Sequence, residues 1–78
     1  MDWMNREFDR VVGQNIRKLR EANDLTQERL SAQLQASDCD ITRSALAKIE
    51  AGQRHIYLDE LREFKKLLKT SYDELMSE

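Results

Sequence analysis

The side chains of this chain best placed to do chemistry fall between Thr42 and Gly52, in the run TRSALAKIEAG. If Leu46 and Ile49 point inward, a turn of about 100° per residue carries Ser44, Ala47, Lys48 and Ala51 to the opposite face of a short helix. That face is small-sided and cationic, so it can approach a partner surface closely. Thr42 can cap the helix with its hydroxyl, and Gly52 supplies the left-handed residue that ends it. The charge around it is uneven. Residues 41–56 hold three basic side chains and one acidic, residues 1–40 six and eight, and residues 57–78 four and six. The total of −2 is therefore misleading, because attraction to phosphate depends on where the charges lie.

Other chemistries find little support. Asp59/Glu60 and Asp73/Glu74 are adjacent in sequence, so each pair diverges around its helix, as charges that favour a helix start do. There is no Gly-rich phosphate loop and no histidine-paired nucleophile, and a chain of 78 residues is too short to enclose a substrate pocket. No catalytic residue and no cofactor are expected. A metal site is not expected either, since His55 has no second ligand at helical spacing and Cys39 is the only cysteine. Cys39 reads as an inert thiol in a polar loop, with nothing cationic beside it to activate it. The N-terminus MDWMNREFDR does not read as a signal peptide, and no run approaches the roughly 20 apolar residues of a membrane span. A reducing cytoplasm is the expected location.

The elements that must position the Thr42–Gly52 segment follow from period and punctuation. A chain with 40% hydrophobic and 36% charged residues, two glycines and no proline suits an all-α bundle in a single domain over 1–78. Phe8, Val12, Ile16, Leu19 and Ala22 recur at helical spacing, predicting a first helix from about Asn5 to Ala22 that stops at Asn23 and Asp24. Thr26 caps a second helix carrying Leu30 and Leu34 inward to about Ala36. A polar turn, SDCDI, leads to Thr42 and the third helix. After the connector QRHIY, the spacing Leu58, Leu61, Phe64, Leu68 defines a fourth helix. Ser71 caps a short fifth, with Leu75 returning to the core.

This order, with TQERL at the second helix, ITRSALAKIEAG at the third and a closing SYDEL, resembles the DNA-binding domain of the Cro and lambda-repressor family. These are the bacterial and phage helix-turn-helix regulators often called the xenobiotic-response-element type. The likeness runs over about 12–76, leaving 1–7 as an N-terminal extension, and is strongest to members with a lengthened turn before the recognition helix. It implies a five-helix lambda-repressor-like domain that binds double-stranded DNA as a homodimer on an inverted repeat and acts as a transcriptional regulator, a repressor in the first instance. By position, it implies that Arg43, Ser44 and Lys48 read base edges in the major groove. Gln27, Thr42 and Arg54 would contact phosphates, and Arg20 and Glu50 would form a structural ion pair between the first and third helices.

Some positions depart from the family. The SDCD turn stands where glycine usually precedes the recognition helix, leaving the angle between the second and third helices open. Lys65 replaces a small residue, and Lys69 replaces the glycine expected after the fourth helix, leaving the shape of that helix's end open. Trp3, Met4 and Phe8 form an apolar N-terminal turn that either docks onto a partner or closes the bottom of the core. The competing functional reading is a protein-interaction module, such as an antitoxin or a helical adaptor, built on the same fold.

Overall fold

The computed structural model describes the backbone of residues 2–78 and the side chains of residues 7–78. It contains five helices and, among the described residues, no strand: α1 (Asp2–Ala22), α2 (Gln27–Ala36), α3 (Arg43–Glu50), α4 (Leu58–Leu67) and α5 (Tyr72–Met76). Their order and punctuation agree with the sequence reading, and none is long and apolar enough to cross a membrane. Thr26, Thr42 and Ser71 each accept a hydrogen bond from the backbone N–H three residues on, at 3.0, 3.1 and 3.1 Å, the geometry by which a side-chain oxygen satisfies a helix-start donor. At α4 the device is reversed: Glu60 accepts from the N–H of Tyr57 at 3.1 Å.

Four of the helices end in the same way. Asp24, Asp38, Gly52 and Lys69 have φ of 57°, 62°, 74° and 54°. Beyond each, the chain folds back in paired bonds: Leu25 N–H to Arg20 C=O, Cys39 to Leu34, Gln53 to Lys48 and Thr70 to Lys65, each with a bond spanning three residues beside it. This is the Schellman closure, in which a left-handed residue lets the last carbonyls find donors. The structure thus decides what the departures left open. Asp38 and Lys69 adopt the backbone that glycine would have taken, so both helix ends close normally. Asp tolerates this region through local hydrogen bonding, whereas Lys pays the steric cost of its Cβ. Lys69→Gly is accordingly expected to stabilise the domain by about 0.5 to 1 kcal/mol, the relief of about 1 kcal/mol or more being partly offset by the freer unfolded chain. Urea unfolding checks it; a loss of stability would show that Lys69 is not strained.

α1 packs against α3 and α5, and α2 against α3 and α4. The core between them holds Val12, Ile16, Leu30, Leu34, Leu46, Ile49, Leu61, Phe64, Leu68 and Leu75. On α1 the buried stripe is Val12, Ile16 and then Arg20, not Ala22, which is exposed, and Phe8 is 48% exposed. The roles expected of Trp3 and Met4 concern side chains outside the described residues. Leu58 also departs from its expected stripe. It opens α4 at 84% exposure, because the helix's first residue overhangs the core that Leu61 and Phe64 enter.

The SDCDI turn is a second correction. Cys39 is 8% exposed and Ile41 fully buried, so the turn contributes to the core and Cys39 is no polar-loop thiol. Burial, with the carboxylates of Glu60, Glu63 and Asp59 adding to it, pushes the Cys39 pKa up and keeps the thiol protonated. Buried Ser31 donates to the Ile41 carbonyl at 2.8 Å, tying the end of the turn to the middle of α2. Ile41 and Leu46 occupy the two positions of a hydrophobic staple across the Thr42 cap. The longer turn is therefore pinned by the burial of Cys39 and by the Ser31 bond at Ile41, which hold α3 against α2.

Candidate nucleic-acid interface

The outer face of α3 is open. Ser44, Lys48 and Ala51 are exposed and Ala47 is half-buried, while Leu46, Ile49 and Glu50 are covered. Arg43, the first residue of the helix, is also exposed, and among the described residues neither Arg43 nor Lys48 takes part in an ion pair. Arg17, Arg20, Arg54 and Arg62 each meet a carboxylate within 4.0 Å, whereas Arg10 and Arg29, like Arg43, meet none among the described residues. Thr42 is exposed as well, and although its oxygen accepts from Ala45, its hydroxyl proton remains free to donate.

Behind this face lies a buried polar knot. Arg20 donates from Nε to Glu50 Oε2 at 2.8 Å and from Nη2 to Oε1 at 3.0 Å, and from Nη1 to the Leu25 carbonyl at 2.8 Å. The two residues are 8% and 7% exposed. The bidentate bond to Glu50 outweighs burial and holds the Arg20 pKa above its ordinary value, so the guanidinium is charged at every accessible pH. The pair joins α1 to the last residue of α3 and, through Leu25, to the start of α2. Gln27 adds a third arm, donating from Nε2 to Glu50 Oε1 at 3.1 Å, which orients the side chain and leaves its other N–H and its carbonyl oxygen outward.

Arg43 and Gln27 line one depression together with Arg20, Thr26 and Glu28. Arg54 is not brought to it. Its guanidinium forms two bonds to Glu60, at 2.9 and 3.0 Å, and one to the His55 carbonyl at 3.0 Å. Burial alone would raise the Glu60 pKa, but the bonds from Arg54 and from Tyr57 N–H prevail and it lies below the usual carboxylate range. Arg54 thus anchors the α3–α4 connector with most of its donor fork. Two residues escaped the sequence reading. Gly13 lies where α1 crosses α3, and a Cβ there would stand 2.1 Å from the Ile49 carbonyl oxygen. Arg17 borders the outer face of α3, sharing a depression with Ala47 and Ala51. The only signal for Arg17 in the sequence is its place one turn before Arg20, on the same side of α1.

A capped helix whose small, cationic outer face has no ion-pair partner among the described residues, held on a second helix by a pinned turn, is the arrangement of a helix-turn-helix pair. A helix-turn-helix family model matches residues 16–75. The chain belongs to this family. It is the Cro and lambda-repressor type of helix-turn-helix domain, a family of DNA-binding regulators and not of enzymes. No curated protein and no solved structure matches the chain. Membership makes the chain a DNA-binding transcriptional regulator in general terms, with α2 and α3 as its helix-turn-helix pair.

Proposed function

We propose that the chain is a sequence-specific repressor that binds as a homodimer to an inverted repeat, placing α3 in the major groove. The observation that carries this is the outer face of α3, where Arg43, Ser44 and Lys48 are exposed and Arg43 and Lys48 are in no ion pair among the described residues. Arg43 suits bidentate contact with guanine, and Ser44 and Lys48 reach adjacent base edges. Thr42 and Gln27, at the starts of α3 and α2, donate to phosphates on the same strand. Arg54 can add a phosphate contact only with the donors that Glu60 and His55 leave free. A regulator of this kind acts in the cytoplasm.

The homodimer is supported by an apolar groove between α4 and α5, lined by Leu58, Asp59, Leu61, Arg62, Tyr72 and Met76. Leu58 and Tyr72 are 84% and 40% exposed. Asp59 and Arg62 border the same groove, so a two-fold axis through it would pair each with the other's counterpart on the second copy, the reciprocity that an isologous interface requires. Two-fold symmetry would then set half-sites about 34 Å apart.

Selection of bound sites from a random duplex pool tests the proposal, and a recovered palindrome is the expected result. On that site Arg43→Ala should cost about 1 to 3 kcal/mol and relax preference at one base pair, while binding to random duplex changes little. Equal losses on selected and random duplexes would show that Arg43 does not read bases.

A further inference from the structure

The two depressions beside α3 adjoin at Arg20 and Gln27, which line both, and together they make a shallow trough along the helix. It starts at Thr26, Glu28 and Arg43, passes the Arg20–Gln27 wall, and ends at Arg17, Ala47 and Ala51. From Arg43 to Ala51 the helix rises about 12 Å, long enough for more than one phosphate of a single strand. The middle of the trough is electrically quiet, because the charge of Glu50 is offset by Arg20, with Gln27 adding a neutral hydrogen bond. Each end holds an exposed arginine, Arg43 beside Glu28 at one and Arg17 beside Glu21 at the other. Ala47 and Ala51 leave the far end without bulk, so a backbone can lie against the helix there. Arg17 stands over that end with its side chain 64% exposed, held only by a loose bond of 3.4 Å from Nε to Glu21 Oε2, itself 55% exposed. Such an exposed pair within one helix contributes little, so a phosphate can displace the carboxylate.

We propose that this trough is the track for the phosphodiester backbone of one DNA strand, with Arg17 as the phosphate contact at its far end. The proposal rests on the DNA-binding reading above and adds to it a residue on α1, outside the helix-turn-helix pair. Arg17 contributes affinity without sequence preference, and Glu21 moderates it by competing for the same guanidinium.

The test measures binding of the full chain to its selected duplex and to a random duplex over a range of salt. Arg17→Ala should weaken both by the same factor and lower the slope of log affinity against log salt by about 0.9, with Tm unchanged. Arg17→Lys should restore the slope. Glu21→Gln should tighten binding more in the wild-type background than in Arg17→Ala. Lys66→Ala removes a charge from the exposed side of α4, outside the trough, and should leave the slope alone. The proposal is overturned if Arg17→Ala leaves the slope unchanged, if its loss is confined to the selected duplex, or if Lys66→Ala lowers the slope as much. If in those cases Arg43→Ala still relaxes selectivity, the DNA-binding reading stands without the track. If the wild-type chain binds neither duplex, both fall.

Discussion

Glu50→Ala is expected to destabilise the domain by about 3 to 5 kcal/mol, the usual cost of stranding one member of a buried ion pair. In a domain of this size even the lower figure lowers Tm by about 12 °C. The reason is the state of Arg20 once its partner has gone. Arg20 is only 8% exposed, the Leu25 carbonyl remains on Nη1, and the nearest other carboxylate, that of Glu21, lies 4.0 Å away on a side chain 55% exposed. Neither neutralises a charge held out of water. Gln27 loses its acceptor on Glu50 at the same time. Glu50→Gln keeps the shape and one acceptor and should cost less. Replacing both charges, as in Arg20→Met with Glu50→Leu, should restore most of the stability, because no unpaired charge is left. It should still weaken DNA binding, since Gln27 would no longer be oriented. Thermal unfolding followed by circular dichroism checks the series. A loss under about 1 kcal/mol for Glu50→Ala would mean that the pair behaves like an exposed one.

Gly13→Ala should also be strongly destabilising, against the ordinary expectation for a glycine inside a helix. By propensity alone alanine would gain up to about 1 kcal/mol. Here the added Cβ would stand 2.1 Å from the Ile49 carbonyl oxygen, 3.1 Å from its carbon and 3.3 Å from the Glu50 Cα. All three are backbone atoms and cannot rotate aside, so α1 and α3 must separate. Overpacking of this kind costs about 1 to 3 kcal/mol, and separation also stretches the Arg20–Glu50 bonds at the same crossing, so the net loss should lie near the upper end. Because both substitutions act on that crossing, Gly13→Ala combined with Glu50→Ala should cost less than the two losses added. Urea unfolding of the single and double variants measures this. A stabilised Gly13→Ala would show that the helices do not approach so closely.

The secondary structure was legible because its determinants are local. Thr26, Thr42 and Ser71 cap through bonds spanning three residues, and the apolar spacing of Leu30 and Leu34, Leu46 and Ile49, and Leu61, Phe64 and Leu68 shows the inward face directly. The exposed face of α3 was legible for the same reason, since the outward direction of Ser44 and Lys48 follows from the inward direction of their neighbours. Failures came where an element's end meets the rest of the molecule. Leu58 fits the period of α4 yet overhangs the core, and Cys39 lies in a polar run yet is buried, because Ser31 and the end of α2 draw the turn inward. Lys69 looked wrong for a helix end, but a single left-handed lysine costs only about 1 to 2 kcal/mol, a strain that a packed core tolerates.

By itself, the sequence determined the number of helices, the Thr26, Thr42 and Ser71 caps, most of the residues that point inward and the exposed cationic edge of α3, all of which depend on residues within about a turn of one another. Tertiary structure alone decided that Gly13 is a contact point, that Gln27 leans on Glu50 and Arg54 on Glu60, and that Arg17 stands beside Ala47 and Ala51. Gly13, Gln27 and Arg17 meet partners more than 20 residues away, and Arg54 meets Glu60 across a connector. No periodicity records such meetings, because they depend on how closely and at what angle one helix crosses another.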